Sequence, residues 1–206
     1  MLTLYGCPNT RSIRAAWALE EAGAEYAYVK IDLLRGEGRQ PSFLRVNPGG
    51  KVPVLADGAF VLTESAAICT YVGDRFPKSR LVPPAGTQAR GRYDQWCYFV
   101  MSELEQPLWT IAKHRFALPE VWRVPAVIDT AKKEFAVAVG ILEAGLGEGP
   151  FILGETFTAA DILVANTLAW ADKAQVPPES ERLRAYKERT LARPALARAQ
   201  QREAAG

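Results

Sequence analysis

The segment 47–68, NPGGKVPVLADGAFVLTESAAI, constrains the fold of this chain more than any other part of the sequence. It predicts two short strands joined by an Asp-Gly turn, the strongest short-range hairpin signal, and then a helix that opens at Glu64-Ser65. Val52-Pro53 precedes the first strand, and proline has no N–H to donate to a sheet ladder. The segment therefore predicts a hairpin whose first strand is preceded by a proline that cannot join the hydrogen-bond ladder of the sheet. It also predicts a helix N-terminus whose N–H groups can receive an anion.

The residues before this segment extend the pattern to a βαβ unit. Strands are predicted over 2–5 and 26–33, on either side of a helix over 11–22 whose apolar residues recur at a spacing of 3.6. Strands joined by such a crossover pair in parallel. A short helix is predicted over 41–46, ahead of the hairpin. The resulting order, βαβ-α-ββα, is that of the thioredoxin fold.

A different pattern begins near residue 76. The stretch 76–87 contains three prolines and no hydrophobic period, which predicts a linker. Everything beyond it is helical in pattern, and the predicted helices cover 88–116, 119–146, one that opens at the capping box Thr158-Ala-Ala-Asp161, 179–191 and 194–203. We therefore predict an α/β domain over 1–77, a linker over 78–88 and an all-helical domain over 89–206.

Composition narrows the class of protein. Lys and Arg number 25 against 23 Asp and Glu, and a net charge of +2 is too balanced to indicate a nucleic-acid partner. The three cysteines are widely spaced and His114 is the only histidine, so neither a disulfide framework nor a structural metal site is expected. No apolar run approaches the roughly 20 residues of a membrane helix, and no signal-peptide pattern opens the chain. We therefore expect a cytoplasmic protein without a membrane or metal partner.

Together these features resemble the glutathione S-transferase family over essentially the whole chain. GGKVPVL followed by TESAAI is similar to the family's glutathione-binding half, and FILGETFTAADI is similar to the folding signature of its helical domain. The resemblance implies a cytosolic, bacterial-type enzyme with glutathione as co-substrate and no metal. It would ionise the glutathione thiol for attack on a small hydrophobic electrophile. The resemblance also implies a homodimer.

The resemblance places the glutathione contacts in the hairpin segment. In the family the proline at the position of Pro53 is cis, which turns the backbone of Val52 toward the cysteinyl part of the ligand. Glu64 is expected to be a buried acid that takes the ligand's ammonium group, while Ser65 and the helix N–H groups take its carboxylate. Lys51 is expected to pair with the glycyl carboxylate. This intact set favours an enzyme over a module of the same fold that only binds proteins.

The group that stabilises the thiolate is expected in the first loop, where the sequence departs from the main classes. Aligned from the end of the first helix, Asn9 takes the place of the family's catalytic serine, with Thr10 beside it. An Asn amide can donate to a thiolate. Aligned on Cys-Pro, Cys7 takes the place of the reactive cysteine of omega-type members. It lies ahead of a helix N-terminus, with Arg11 and Arg14 close by, and both features favour a thiolate. Asn9 and Thr10 rank first and Cys7 a close second, with Tyr5 and Ser12 well behind.

Contacts to the electrophile are sought along the predicted helix over 88–116. Its candidates are Tyr93, Trp96, Trp109 and His114, although an aromatic stripe at helical spacing is more often core than pocket. The leading hypothesis is a glutathione transferase. The alternatives are a glutathione-dependent thiol reductase, isomerase or dehalogenase, and a non-catalytic module that binds proteins through the same fold.

Overall fold

A computed structural model of the chain describes residues 1–205 and contains two compact units. The first unit combines Met1–Val82 with the C-terminal stretch from Ala192 onward, and the second unit spans Pro83–Leu191. The sequence predicted one helical domain over 89–206. The compact units are divided differently, because the last helix packs in the first unit.

The first unit is built on a four-stranded mixed sheet in the order β2-β1-β3-β4. Its elements are β1 (Leu2–Gly6), α1 (Ser12–Glu21), β2 (Tyr26–Lys30), α2 (Pro41–Leu44), β3 (Val54–Asp57), β4 (Phe60–Thr63), α3 (Ser65–Arg75) and the last helix, α9 (Pro194–Ala205). Strand β1 is parallel to β2 and antiparallel to β3, and β3 and β4 form the predicted hairpin. The predicted thioredoxin-like order βαβ-α-ββα is confirmed.

The core of the first unit lies where α1 and α3 pack on the sheet and on each other. Leu4 of β1, Trp17 of α1 and Ile68 of α3 are fully buried there. Burial of a large apolar side chain contributes about 1.5–3 kcal/mol relative to leaving it in water, so this layer fixes α1 and α3 against the sheet. The N-termini of these two helices are thereby held in a defined position.

Ion pairs add α9 to this layer. Arg193 donates to both carboxylate oxygens of Glu21 on α1, at 2.6 and 2.7 Å. Arg198 and Arg202 donate to Glu20 at 3.1 and 2.9 Å. The basic residues near the end of the chain therefore pair with the acidic residues at the end of α1.

The second unit is helical, as predicted. Its α-helices are α4 (Gln88–Phe99), α5 (Glu105–Ala112), α6 (Val127–Gly145), α7 (Ala159–Lys173) and α8 (Glu181–Leu191). Turns of π-helix follow α4 and α5, at Val100–Leu104 and Lys113–Ala117. The prediction of a helix from residue 119 is wrong, since α6 begins at Val127. The stretch before it carries prolines, which disfavour helical backbone at the preceding residue.

The capping box at the start of α7 is confirmed. Asp161 is fully buried and accepts hydrogen bonds from Thr158 N (2.8 Å), Thr158 Oγ1 (3.0 Å), Ile152 N (2.8 Å) and Tyr186 Oη (2.7 Å). Burial raises the pKa of this carboxyl, and the four donors act in the opposite direction. Asp161 therefore ties the start of α7 to the loop before it and to α8. None of the helices described in residues 1–205 is long and apolar enough to span a membrane.

Candidate functional site

The chain reaches β3 through a cis peptide bond between Val52 and Pro53. Pro53 is buried and Val52 is half-buried. The ladder of β3 with both neighbouring strands begins at Val54, so Val52 lies just before the paired part of the strand. This is the geometry that the resemblance implies at these two residues.

A buried asparagine shapes the loop that leads to this bond. Asn47 donates from Nδ2 to the carbonyl of Lys51 at 2.7 Å, and its Oδ1 accepts the N–H of Gly49 at 2.9 Å. The loop is therefore closed on itself, with the Lys51 side chain exposed. Sequence reasoning missed Asn47, although the turn-forming run Asn-Pro-Gly-Gly was a signal.

Glu64 caps α3 in an unusual backbone conformation. Its φ is 67° and its ψ is 115°, and its side chain makes no capping hydrogen bond. A sparsely populated backbone conformation of this kind at a residue other than glycine costs about 1–3 kcal/mol, and such residues cluster at functional sites. The prediction of a buried acid is wrong, since Glu64 is exposed. A carboxylate without a buried partner is more stable in water than in the interior.

Ser65 is the first residue of α3 and lies at the end where helix N–H groups have no intrahelical partner. It is buried, and its Oγ accepts a hydrogen bond from Nη1 of Arg14 at 3.5 Å. Arg14 comes from α1 and is fully buried. Sequence reasoning named Arg14 only as a positive charge near Cys7 and missed its contact with Ser65. Its one signal is a charged residue at the start of the buried stretch of α1.

The loop between β1 and α1 is closed by its own hydroxyl groups. Thr10 Oγ1 donates to the Cys7 carbonyl at 2.7 Å and accepts the Ser12 N–H at 3.2 Å. Ser12 Oγ accepts the Cys7 N–H at 3.1 Å and lies 2.8 Å from Thr10 Oγ1. Because the Thr10 proton goes to Cys7, the proton between the two hydroxyl groups comes from Ser12. Both hydroxyl protons are thus used inside the loop.

The other candidates in this loop differ in their exposure. Asn9 is exposed and has a φ of 61°, while the Cys7 side chain is half-buried. The network described above uses the backbone of Cys7 and not its thiol. Tyr5 packs against Phe43 at a ring distance of 6.1 Å, within the hydrophobic cluster on the side of the sheet that α2 covers. Tyr5 is therefore part of the packing, as its low rank among the candidates anticipated.

Helix α1 brings the two halves of the predicted glutathione site together. Its first residue, Ser12, closes the loop that holds Asn9 and Cys7, and its third residue, Arg14, contacts Ser65 at the start of α3. A ligand thiol beside the first loop and a ligand carboxylate at the start of α3 would thus both lie near the first turn of α1.

The structure does not bring the four electrophile candidates of the second unit together. Tyr93 is fully buried, and the indole of Trp96 lies against Gly145 of α6. Trp109 packs on Trp170 at a ring distance of 6.4 Å, and His114 Nδ1 accepts the N–H of Val124 at 3.0 Å. Positions 96 and 109 are about 20 Å apart along a helix at 1.5 Å per residue. One small ligand cannot contact both, and the electrophile site stays a prediction.

Comparison with known proteins identifies the family. Sequence profiles of the glutathione S-transferase N-terminal and C-terminal domains match residues 1–74 and 125–198. The chain is 30% identical to glutathione S-transferase F10 of Arabidopsis thaliana over 167 residues, which are 79% of this chain and 77% of that protein. It is also 30% identical to the disulfide-bond oxidoreductase YfcG of Escherichia coli over 169 residues, 79% of this chain and 76% of that protein.

Solved structures of similar fold are also glutathione transferases. A glutathione transferase from Methylococcus capsulatus has a TM-score of 0.85 at 32% identity and covers 100% of both chains. A glutathione transferase homologue from Sulfitobacter, solved with bound glutathione, has a TM-score of 0.83 at 27% identity and covers 98% of this chain and 97% of that one. The fold is that of the glutathione transferases, and the chain belongs to the glutathione S-transferase family.

Proposed function

We propose that the chain is a glutathione transferase that binds glutathione in its first unit and ionises the thiol for attack on a hydrophobic electrophile. The observation that supports this best is the start of α3. Glu64 holds a strained backbone without capping the helix, and the buried Ser65 hydroxyl stands beside the uncapped N–H groups. Such a terminus is suited to an anion. The glutathione bound in the Sulfitobacter homologue supports the same ligand.

The γ-glutamyl end of glutathione is assigned to this terminus. Its carboxylate would accept from Ser65 and the first N–H groups of α3, and its ammonium would pair with Glu64. The exposure of Glu64 weakens a surface ion pair, so we assign most of the affinity to Ser65 and the helix N-terminus. Val52 would pair with the backbone of the cysteinyl residue next to Pro53, and Lys51 with the glycyl carboxylate.

For the thiolate, the hydrogen bonding of the first loop favours Asn9 over Thr10. The Thr10 and Ser12 protons serve the loop, so their donation to a ligand would cost bonds that hold it. The exposed Asn9 amide has N–H donors to offer. In the proposed reaction the thiol proton passes to solvent. With an aryl halide as electrophile, the thiolate forms a carbon–sulfur bond at the ring carbon, the carbon–halogen bond breaks, and halide leaves to solvent. A donor to the developing anion accelerates such steps by roughly 10²-fold or more.

A second activity, disulfide reduction through Cys7, is supported by the similarity to the oxidoreductase YfcG. The Cys7 thiolate would attack a disulfide sulfur, form a mixed disulfide and release one thiolate. Two molecules of glutathione would then supply the two electrons and leave as oxidised glutathione. Cys7 lies just ahead of α1 and is half-buried, and its sulfur is outside the loop's hydrogen-bond network, so reaction of the thiolate would break none of the loop's hydrogen bonds.

The two activities are separated by substitutions in the first loop. Asn9→Gly keeps the left-handed backbone and removes only the amide, while Asn9→Asp keeps the size and removes the donor. We expect both to lower turnover of an aryl halide with glutathione by roughly 10²-fold at unchanged folding. Cys7→Ala is the matched control and should leave conjugation intact. The assignment of Asn9 fails if Asn9→Gly catalyses conjugation at the normal rate. If Cys7→Ala abolishes turnover of a small dialkyl disulfide and the Asn9 variants do not, disulfide reduction through Cys7 is the supported activity.

Three further statements belong to the proposal. The protein is a homodimer, its electrophile is small and hydrophobic, and it acts in the cytoplasm. Light scattering of the purified chain tests the first. The non-catalytic module is disfavoured because it gives no reason for the strained Glu64 beside an uncapped helix.

A further inference from the structure

We propose that Arg14 is a positioning residue for ligand binding, because it aims the Ser65 hydroxyl at the ligand's carboxylate and supplies a buried positive charge behind it. The inference rests on the proposed function, which assigns that carboxylate to the start of α3. It concerns a residue on another helix that would not itself contact the ligand.

The position of Arg14 is fixed by the packing of α1 on α3. Its side chain is fully buried, and Nη1 lies 3.5 Å from Ser65 Oγ. One α3 turn further on, Cys69 Sγ donates to the Arg14 carbonyl at 3.4 Å. The backbone and the side chain of Arg14 thus both contact α3, so the guanidinium cannot move away from Ser65 without moving a helix.

The chemistry of the pair sets the direction of the Ser65 proton. A guanidinium has only donors, so in its contact with Arg14 the serine oxygen must accept. The single proton of the serine is then left for donation to the ligand's carboxylate, which the proposed function places at the helix N-terminus. A carboxylate is acceptor-only when ionised, so this direction matches an anion and not a cation.

The positive charge of Arg14 also favours a carboxylate at Ser65. Arginine stays protonated in proteins, and a charge inside the protein is screened less than one at the surface. No acidic residue occupies the first turn of α3. The positive end of α3 and the buried cation both favour a carboxylate at Ser65, whereas the adjacent Glu64 carboxylate opposes it and is exposed to solvent, which screens its charge.

The alternative role for Arg14 is purely structural, as a tie between two helices. A ligand pair distinguishes the two roles. The first ligand is glutathione, and the second is 4-aminobutyryl-cysteinyl-glycine, which lacks only the carboxylate assigned to Ser65. A structural tie affects both ligands alike, whereas a positioning residue affects only glutathione.

The experiment measures the affinity of both ligands for the full chain and for Arg14→Met by calorimetry. We expect Arg14→Met to bind glutathione roughly tenfold more weakly and the shortened analogue with unchanged affinity. Arg14→Lys keeps the charge and should restore most of the difference. In a Ser65→Ala background, Arg14→Met should have a smaller effect, because the hydroxyl through which it acts is gone. Arg193→Met, which removes the arginine that pairs with Glu21 in the first unit, is the stability control and should bind both ligands normally.

Each outcome decides the matter. Equal weakening of both ligands, or unchanged glutathione affinity in Arg14→Met, overturns the inference and leaves the proposed function standing. If Arg14→Met does not fold, the same comparison is made with Arg14→Gln, which removes the charge but stays polar, and equal weakening of both ligands or unchanged glutathione affinity there also overturns the inference. Absence of glutathione binding by the well-folded unsubstituted chain overturns the proposed function itself.

Discussion

A titratable group couples the last helix to the sheet near the first loop. Glu203 of α9 is buried, with 5% of its surface exposed, and its Oε1 accepts from Tyr28 Oη on β2 at 3.3 Å. The Tyr28 hydroxyl reaches it across Gly6, where a Cβ would lie 2.5 Å from that oxygen. We predict that this carboxyl makes the stability of the first unit depend on pH, and that Glu203→Gln removes the dependence.

The sign and size follow from the pKa. Burial raises the pKa of Glu203 from 4.5 to about 7, against the opposing hydrogen bond from Tyr28. The folded state therefore favours the protonated carboxyl. Its contribution to stability is complete below pH 4.5, falls as pH rises through 7, and is constant above. A pKa that is higher by about 2.5 in the folded state corresponds to about 3 kcal/mol in the free energy of unfolding. Partial access of solvent to the carboxyl group reduces this to about 1–2 kcal/mol.

The assay is urea unfolding of the unsubstituted chain and of Glu203→Gln between pH 4.5 and 8. Because all other groups titrate in both proteins, the difference between their free energies of unfolding isolates Glu203. The free energy of unfolding of Glu203→Gln minus that of the unsubstituted chain should be about 1–2 kcal/mol larger at pH 8 than at pH 4.5. Glu188→Gln, at an exposed position of α8, is the control and should follow the unsubstituted chain. A difference that does not change with pH, or that changes in the opposite direction, would refute the reasoning.

Three further predictions concern stability. Asp161→Ala removes the acceptor of four buried hydrogen bonds and should cost about 3–5 kcal/mol in guanidinium unfolding, and a loss below 1 kcal/mol would contradict the role of the capping box. Gly6→Ala should cost about 1–3 kcal/mol by its clash with the Tyr28 hydroxyl, and Tyr28→Phe in the same chain should recover part of that loss in thermal melts. Glu64→Gly should stabilise the fold by up to about 1 kcal/mol, since glycine relieves the positive φ, while glutathione affinity measured by calorimetry falls.

Features that depend on residues close together in the sequence were predictable. The Asp-Gly hairpin, the helix after Thr63 and the Thr158–Asp161 capping box each depend on residues within a few positions of one another. The cis bond before Pro53 came from the family resemblance and not from a local rule.

Features that depend on distant partners were not predictable. The partner of Arg14 lies 51 residues away in the sequence, and Glu203 meets Tyr28 across 175 residues. The exposure of Glu64 depends on the way the chain turns into α3, which composition does not reveal. For the same reason the sequence gives no sign that the last helix returns to the first unit, since its Arg–Glu pairs form only after folding.

The most direct test of the account is calorimetric titration of the unsubstituted chain with glutathione, repeated with Ser65→Ala and Glu64→Ala. We predict saturable binding that Ser65→Ala weakens by at least tenfold and Glu64→Ala by less, in keeping with their burial and exposure. Absence of binding by the folded, unsubstituted chain would contradict the account and favour a module that uses this fold to bind proteins.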